Sequence, residues 1–343
     1  MGGGSTDFSS SRSYDFADVP AVTKKSAASY AREDRREYTP TSKGLPALGR
    51  NMSTKNPLTL TILLDLTGSM QQIPAKFVEK ISTLYSETNA AMQGKDLKTL
   101  ASGEKLEDLL DIGIVTIGDA AFSGGYADKY PVQVVDFCHG PALTKAVNDI
   151  YSQGGGGSNT MESYDLGAYF LLNHCDVPNA PNGAKPLLIL AGDEGFYETV
   201  RASWVKQFIG DDLPKDLKTA DVLSALGKKF EVNVLRPELS YSRSEYDLIQ
   251  KQWQGVFNPQ VVMPMDGYDR LVDCIIGCAG YASNNFNVSE DLLRRRQKPA
   301  QVDEVLKTLH PLLSSPRPNP DPKPLQVPDK VVKAKSPRKS RKK

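Results

Sequence analysis

A short apolar stretch, residues 58–70 (LTLTILLDLTGSM), constrains the fold more than any other part of the chain. Its run of apolar and β-branched residues ends abruptly in an aspartate, which two hydroxyl residues and a glycine follow. Such a pattern predicts a buried strand that delivers polar side chains to a loop. Asp65, Thr67 and Ser69 occupy alternate positions, and alternate side chains of an extended segment point the same way. One carboxylate and two hydroxyls are therefore expected to converge just beyond the strand.

Oxygen ligands of this kind favour a hard divalent cation. Mg²⁺ is the best match, and Mn²⁺ or Ca²⁺ can replace it. The alternative interpretation needs no metal, because Asp65 and Ser69 can also accept hydrogen bonds from backbone amides where a helix begins. Two later segments, the glycine-rich loop at residues 154–160 and the strand that ends before Asp193, favour the metal site over this alternative.

A glycine-rich loop contains the next candidate hydroxyls. Four successive glycines, residues 154–157, precede Ser158 and Thr160. Glycines let the backbone approach a bound group closely but cost conformational entropy, so a run of them indicates a functional reason. A largely apolar helical pattern over residues 162–173 follows the loop.

A second aspartate ends another apolar run, residues 186–192 (PLLILAG). That run is typical of a central strand, and Asp193 comes directly after it. In open α/β sheets, ligands bind outside the carboxyl ends of the strands. Asp65 and Asp193 both occupy such ends, so we expect the fold to bring them together. Asp119, Asp128 and Glu162 are further acids that could lie near the same edge, but no pattern fixes them there.

Strand and helix patterns alternate along the middle of the chain. The predicted strands are residues 58–65, 111–118, 132–137, 186–192, 230–235 and 260–263. The predicted helices are residues 74–92, 142–151, 162–173, 217–226, 246–253 and 271–282. This alternation predicts an α/β fold, with a Rossmann-like, doubly wound and mostly parallel central sheet covered by helices on both faces.

The three polar segments resemble the metal-ion-dependent adhesion site (MIDAS) of von Willebrand factor A (vWA) domains. The first family motif, Asp-x-Ser-x-Ser, stands here as residues 65–69 (DLTGS). The second, a Gly-rich loop with a Thr at a helix start, is similar to residues 154–160. The third is an Asp after an apolar strand, here Asp193, although Gly192 precedes it where Thr is usual. The resemblance covers residues 56–283 and implies a vWA fold.

The resemblance also implies a ligand set for the cation. Ser158 follows the glycines directly, whereas Thr160 is nearer to the motif by residue type, so either can supply the second-motif hydroxyl, with Ser158 slightly favoured. The candidate metal ligands are Asp65, Thr67, Ser69, Ser158, Thr160 and Asp193.

A non-catalytic function follows from that resemblance. A Mg²⁺ ion held by two carboxylates and neutral oxygens keeps residual positive charge, so it attracts an Asp or Glu side chain of a partner protein. Intracellular vWA proteins commonly serve AAA+ ATPases or larger complexes. The expected role is therefore an intracellular, cytoplasmic adaptor, with a AAA+ ATPase on another chain as the favoured partner, because this sequence has no Walker motif.

An enzyme is the main alternative. Residues 65–69 are also similar to the Asp-Lys-Thr-Gly-Thr motif of P-type ATPases and, more distantly, to haloacid-dehalogenase phosphatases, in which a strand-end Asp is the nucleophile. In a Mg²⁺-dependent phosphohydrolase of this kind, Asp65 would attack the phosphorus. However, Leu66 replaces the motif's Lys, and Thr67 replaces the acid/base Asp of the phosphatases.

The two ends of the chain lack the alternating strand and helix patterns of its middle. Residues 1–55 are polar without a sustained period and are expected to be mostly disordered, whereas residues 284–313 form a helical extension that contains Arg294–Arg296. Residues 314–343 form a Pro- and Lys-rich tail that is expected to be disordered and carries eight of the chain's 42 Lys and Arg residues after position 329. A tail of this charge makes nucleic-acid binding a second alternative function.

The overall composition does not favour a membrane protein or a disulfide-rich secreted protein. The chain has 343 residues, of which 39% are hydrophobic and 24% charged, an ordinary composition for a protein with one sizeable core. No apolar run is long enough to predict a membrane span. The four cysteines are sparse, which favours reduced thiols over a disulfide framework.

Overall fold

A six-stranded sheet lies at the centre of the computed structural model, which describes residues 44–70, 73–95, 106–121, 128–151, 160–180, 183–239 and 242–315. Its strands are β1 (Leu58–Asp65), β2 (Leu110–Ile117), β3 (Val132–Cys138), β4 (Leu187–Ala191), β5 (Glu231–Pro237) and β6 (Val262–Met265). Their spatial order is β6-β5-β4-β1-β2-β3, and β3 alone among these strands runs antiparallel to its neighbour. The carboxyl ends of the five parallel strands therefore share one edge of the sheet.

Helices cover both faces of this sheet. They are α1 (Ile73–Gln93), α2 (Gly140–Asn148), α3 (Tyr164–His174), α4 (Ala202–Phe208), α5 (Thr219–Lys229), α6 (Arg243–Gln254), α7 (Leu271–Ala282), α8 (Phe286–Arg296) and α9 (Pro299–Leu313). Along β1, Ile62 and Leu64 pack in a core with α1, α2, α7 and α9, whereas Leu63 points into the opposite core with α3 to α6. The predicted doubly wound, mostly parallel α/β fold is confirmed.

Short elements join the main ones. In the described ranges, three two-residue strand pairs link the loops, and two 3-10 turns precede α1 and β6. The pairs are Met52–Ser53 with Cys175–Asp176, Met161–Glu162 with Gly195–Phe196, and Thr199–Val200 with Leu217–Lys218, and the turns are Gly68–Met70 and Pro259–Val261. The pair that contains Glu162 ties the segment before α3 to the loop after β4.

The packed part of the chain extends upstream of residue 56, where the sequence pattern places the start of the domain. Ala47 and Met52 are fully buried, and the backbone amide of Ala47 donates to Val132 O at the edge of β3. Residues 44–53 thus cover an edge strand, which sequence periodicity over so few residues does not reveal. The rest of the predicted disordered N-terminal segment, residues 1–43, lies outside the described residues.

The helical extension packs on the domain rather than projecting from it. Leu293 of α8 and Val302 and Leu309 of α9 join the core that contains α1 and α7. Within the described ranges, no helix has the length and apolar character needed to cross a membrane. The basic tail from residue 316 onward lies outside the described residues.

Candidate functional site

Asp65 ends β1 at the carboxyl edge of the sheet, and its side chain is fully buried. Its Oδ1 accepts hydrogen bonds from the Thr67 amide (2.8 Å) and the Thr67 hydroxyl (2.6 Å). Its Oδ2 accepts one from the Tyr164 hydroxyl (3.1 Å) at the start of α3. Asp65 and Thr67, predicted to point the same way, therefore form a local hydrogen-bonded turn. Tyr164, the first residue of α3, is the third donor to this carboxylate.

Asp193 follows β4, the neighbour of β1, and is also fully buried. Side chains from β5 and α6 hold the backbone of its loop. Arg236 donates to Asp193 O (2.8 Å), and the Trp253 indole donates to Glu194 O (2.9 Å). Because these contacts are made to carbonyl groups, they position the loop through its backbone.

Gly192 explains how the two strand ends approach each other. A Cβ atom at this position would lie 2.6 Å from the Cβ of Asp65 and would overlap the Tyr164 hydroxyl. Any side chain here would therefore push Tyr164 away from Asp65. The departure from the usual Thr of the third family motif thus has a steric reason in this chain.

Burial and mutual repulsion shift the titration of this pair. Burial, followed by the charge of Asp193, raises the pKa of Asp65 to about 7, against the lowering effect of the hydrogen bonds from Thr67 and Tyr164. Burial and then the charges of Asp65 and Asp193 also raise the pKa of the Tyr164 phenol well above its usual value. The two aspartates therefore share one water-poor environment, in which a second negative charge is unfavourable.

Further buried acids extend the site. Glu162 is fully buried, and burial followed by the charges of Asp65, Glu194 and Asp119 raises its pKa to about 12. Asp119, at the end of β2, accepts hydrogen bonds from the Tyr197 hydroxyl and the Ala121 amide, both at 2.8 Å. The carboxyl ends of three neighbouring strands thus contribute acids to one region.

The structure brings together some of the predicted ligands. Asp65, Thr67 and Asp193 lie close to one another, and Thr160 O accepts a hydrogen bond from Gly195 N (3.0 Å), which places this backbone beside the loop of Asp193. Ser158 and the side chain of Ser69 lie outside the described residues. The choice between Ser158 and Thr160 therefore stays a prediction.

Sequence analysis noted Asp119 and Glu162 as nearby acids but assigned no role to Glu194, Tyr164 or Arg236. Glu194 directly follows Asp193, so its proximity along the chain was a usable signal. Tyr164 and Arg236 carried none, because their contacts depend on how distant elements pack.

The described residues contain no group of three or more His, Cys, Asp or Glu side chains arranged to hold a metal ion. Much of the predicted ligand set consists of Ser and Thr hydroxyls, which are not among these residue types. The donors that are described nevertheless fit a hard cation by their chemistry, since they are carboxylate and hydroxyl oxygens in an acidic, buried setting.

No protein-family model and no curated protein matches the chain. Among solved structures, the chain is similar to the pilus adhesin SpaC from Lactobacillus rhamnosus GG in its open conformation, at 15% identity and a TM-score of 0.43 over 70% of this chain and 31% of that chain. Another form of the adhesin gives 15% identity and a TM-score of 0.40 over 70% and 32%.

Proximal thread matrix protein 1 of the mussel byssus, whose MIDAS motif is occupied by zinc, is similar at 11% identity and a TM-score of 0.37 over 69% of this chain and 47% of that chain. The chain spans about a third of the adhesin and about half of the mussel protein. All three TM-scores are below 0.5.

Proposed function

We propose that this chain is a protein-interaction module of the vWA type that holds a divalent cation at the carboxyl edge of its sheet. Asp65, Thr67, Ser69 and Asp193 would hold the cation, together with Ser158 or Thr160. Mg²⁺ is the favoured ion, and Mn²⁺ or Ca²⁺ can substitute for it. When bound, the ion supplies positive charge that attracts an Asp or Glu side chain of a partner protein.

One observation carries this proposal. Asp65 and Asp193 are both fully buried at the ends of adjacent strands, and the charge of Asp193 raises the pKa of Asp65. Burying two neighbouring carboxylates is costly unless a positive charge compensates them. Arg236 donates its hydrogen bond to the carbonyl of Asp193. A divalent cation would compensate both carboxylates at once.

The surroundings of Asp65 favour binding over phosphoryl transfer. A nucleophilic aspartate needs an oxygen that can reach the substrate, but both oxygens of Asp65 accept hydrogen bonds within a fully buried side chain. Among the described residues, no Lys amine contacts Asp65, whereas the P-type motif places a Lys next to its aspartate. The nucleic-acid alternative depends on the basic tail, outside the described residues, and stays a prediction.

The partner class that this proposal favours first is a AAA+ ATPase or a larger complex that presents an acidic side chain. The test is affinity capture with the wild type, Asp65→Asn and a matched control, Asp111→Asn. Asp111 is a buried acid at the amino end of β2, where it contacts Thr54 and His139 far from the site.

The proposal predicts a partner that wild type and Asp111→Asn retain in Mg²⁺, that EDTA releases and that added Mg²⁺ restores, while Asp65→Asn does not retain it. Retention by Asp65→Asn, or retention in EDTA, would contradict the proposal. Hydrolysis of para-nitrophenyl phosphate by the wild type and not by Asp65→Asn would instead support the phosphohydrolase.

A further inference from the structure

Tyr197 crosses the end of β1 at the carboxyl edge of the sheet. It belongs to the loop after β4, and its hydroxyl donates a hydrogen bond to Asp119 Oδ1 (2.8 Å), in the connection after β2. Because β1 lies between β4 and β2, this hydrogen bond spans the strand end that carries Asp65. Tyr197 is half-buried, so part of this residue faces solvent beside the candidate cation site.

Two side chains continue this surface from Tyr197 to the start of α4. The rings of Tyr197 and Trp204 meet edge to face, with their centroids 5.5 Å apart. The guanidinium carbon of Arg201 lies 4.4 Å from the centroid of the Trp204 ring. Arg201 is exposed and Trp204 is half-buried. Tyr197, Trp204 and Arg201 therefore form one continuous surface, here called the aromatic–arginine strip, which begins at the carboxyl edge.

The positive charge of this strip is not neutralised by a direct contact. Among the described residues, Arg201 forms no ion pair, and its guanidinium donates no hydrogen bond. Asp216 accepts a hydrogen bond from the amide of Ala202 instead (2.8 Å). Burial raises the pKa of Asp165 well above its usual value, and the charge of Arg201 opposes that rise. An arginine stacked on an aromatic ring keeps its planar fork of donors available to a carboxylate.

We propose that the aromatic–arginine strip docks an acidic segment of the partner protein, with Arg201 binding one of its carboxylates and Trp204 and Tyr197 packing against the segment. This inference rests on the proposed function, because the segment belongs to the partner whose other acid the cation attracts. Arginine binds a carboxylate through two parallel hydrogen bonds. Trp, Tyr and Arg are also the residues that most often dominate the binding energy of protein interfaces.

Arg243, the first residue of α6, provides a matched comparison. It is also exposed, and its guanidinium carbon lies 5.5 Å from the centroid of the Tyr246 ring. However, Arg243 forms ion pairs with Glu238 (3.3 Å) and Asp247 (3.2 Å). If positive charge alone attracted an acidic partner, the two arginines would contribute alike. The proposal predicts that they differ.

The test is calorimetric titration of a peptide of alternating Glu and Ala into the wild type, Arg201→Gln and Arg243→Gln, in Mg²⁺ and in EDTA. A peptide with Gln in place of Glu is the neutral control. Arg201→Gln should weaken binding of the acidic peptide roughly tenfold or more, the loss expected of a dominant interface arginine. Arg243→Gln should keep the wild-type affinity, and the neutral peptide should bind more weakly than the acidic one. Both arginines are exposed, so both variants are expected to fold, as circular dichroism would verify.

Tryptophan fluorescence gives a second readout. The chain has two tryptophans, of which Trp253 is buried, so a change on peptide binding should come from Trp204 and disappear in Trp204→Phe. A fluorescence change that persists in Trp204→Phe would place the peptide elsewhere and overturn the docking role of the strip.

Four calorimetric results would also overturn that role. They are failure of the wild type to bind the acidic peptide, wild-type affinity in Arg201→Gln, an equal loss in Arg243→Gln, and equal binding of the neutral peptide. The cation site is tested separately by titration of Mg²⁺, which Arg201→Gln should bind as tightly as the wild type. Peptide binding that depends on Arg201 but is equally tight in Mg²⁺ and in EDTA would overturn the role of the cation and leave the strip intact.

Discussion

Acidic side chains are buried both beneath α8 and at the carboxyl edge of the sheet, but their surroundings differ. Beneath α8, Arg296 donates two hydrogen bonds to Glu87 (2.9 and 2.8 Å) and one to Asp273 (2.6 Å). Burial lowers the pKa of Arg296, but the charges of Glu87 and Asp273 outweigh this effect and raise it. The acids in this region therefore have a cation from the chain itself.

At the carboxyl edge, compensation from the described side chains is weaker. Asp65 accepts hydrogen bonds from neutral groups only, and Glu162 has no donor among the described residues. Burial of an acid therefore does not by itself indicate function. Where the chain supplies the counter-charge, the acid is structural, and where it does not, the acid is a candidate for binding an external cation.

The largest effect is expected from removing the cation beneath α8. Arg296→Met would remove the cation that pairs with Glu87 and Asp273, and Asp273 would keep only its contacts with Arg270 and Gln297. Breaking a buried ion pair typically lowers the free energy of unfolding by about 3–5 kcal/mol. Urea unfolding measures this change. Arg294→Met is the matched control on the same helix, because Arg294 pairs with Glu290 at the surface, and such exposed pairs contribute about 0–1 kcal/mol. Equal losses in both variants would contradict the comparison.

Without bound cations, the stability of the fold should depend on pH through the acids at the carboxyl edge of the sheet. The pKa of Asp65 is about 7 in the folded chain and 3.8 as its ordinary value, so the folded state binds the proton more tightly. The stability contributed by protonated Asp65 is fully present below about pH 4 and is lost as the pH rises through 7. The raised pKa of Glu162 likewise makes the folded state less stable as the pH rises.

Thermal unfolding in EDTA measures this dependence. The midpoint should fall by roughly 5 °C between pH 5 and pH 8, taking a change of about 1–2 kcal/mol for a domain of this size. Asp65→Asn should show a smaller fall, because its side chain does not titrate. A midpoint that stays constant or rises in the wild type would argue against an under-compensated carboxyl edge.

A smaller effect is expected from the neutral hydrogen bond that Asp65 receives from α3. Tyr164→Phe removes the hydroxyl that donates to Asp65 Oδ2 and should lower the free energy of unfolding by about 1 kcal/mol. It should also raise the pKa of Asp65 further, since this hydrogen bond lowers it. Urea unfolding and the pH dependence of stability measure the two changes.

Tyr169→Phe is the control for this variant. Tyr169 lies on the same helix and donates a similar hydrogen bond to Asp211 (2.7 Å), away from the site. It should lose comparable stability without changing the pH dependence assigned to Asp65. If both variants altered that dependence equally, Tyr164 would have no specific link to Asp65.

The sheet and the strand ends could be predicted from the sequence because their signals are local. The apolar run of β1 ends at Asp65 and that of β4 before Asp193, so each strand carries its own boundary. The parallel order of the strands then determines that both aspartates meet at one edge. These features need no knowledge of long-range packing.

The remaining features depend on contacts between distant residues. Arg294–Arg296 form a uniform basic run in the sequence, yet Arg296 turns inward to Glu87, which lies 209 residues away along the chain. In the same way, Glu162 lies beside the loop of Asp193 because a two-residue strand pairs with Gly195–Phe196, and such a strand is too short to leave a periodic pattern. The contact of Tyr164 with Asp65 requires Gly192, whose steric role only the packed structure reveals.

The most direct test of the central claim measures the free energy of unfolding with and without divalent cations. Mg²⁺ or Mn²⁺ at about 100 times its dissociation constant should stabilise the wild type by about 2.7 kcal/mol relative to EDTA. The same increment should appear in Arg296→Met, whose altered region is separate, and should be absent in Asp65→Asn. A wild type whose unfolding free energy is the same in EDTA, Mg²⁺, Mn²⁺ and Ca²⁺ would contradict a cation site at the carboxyl edge.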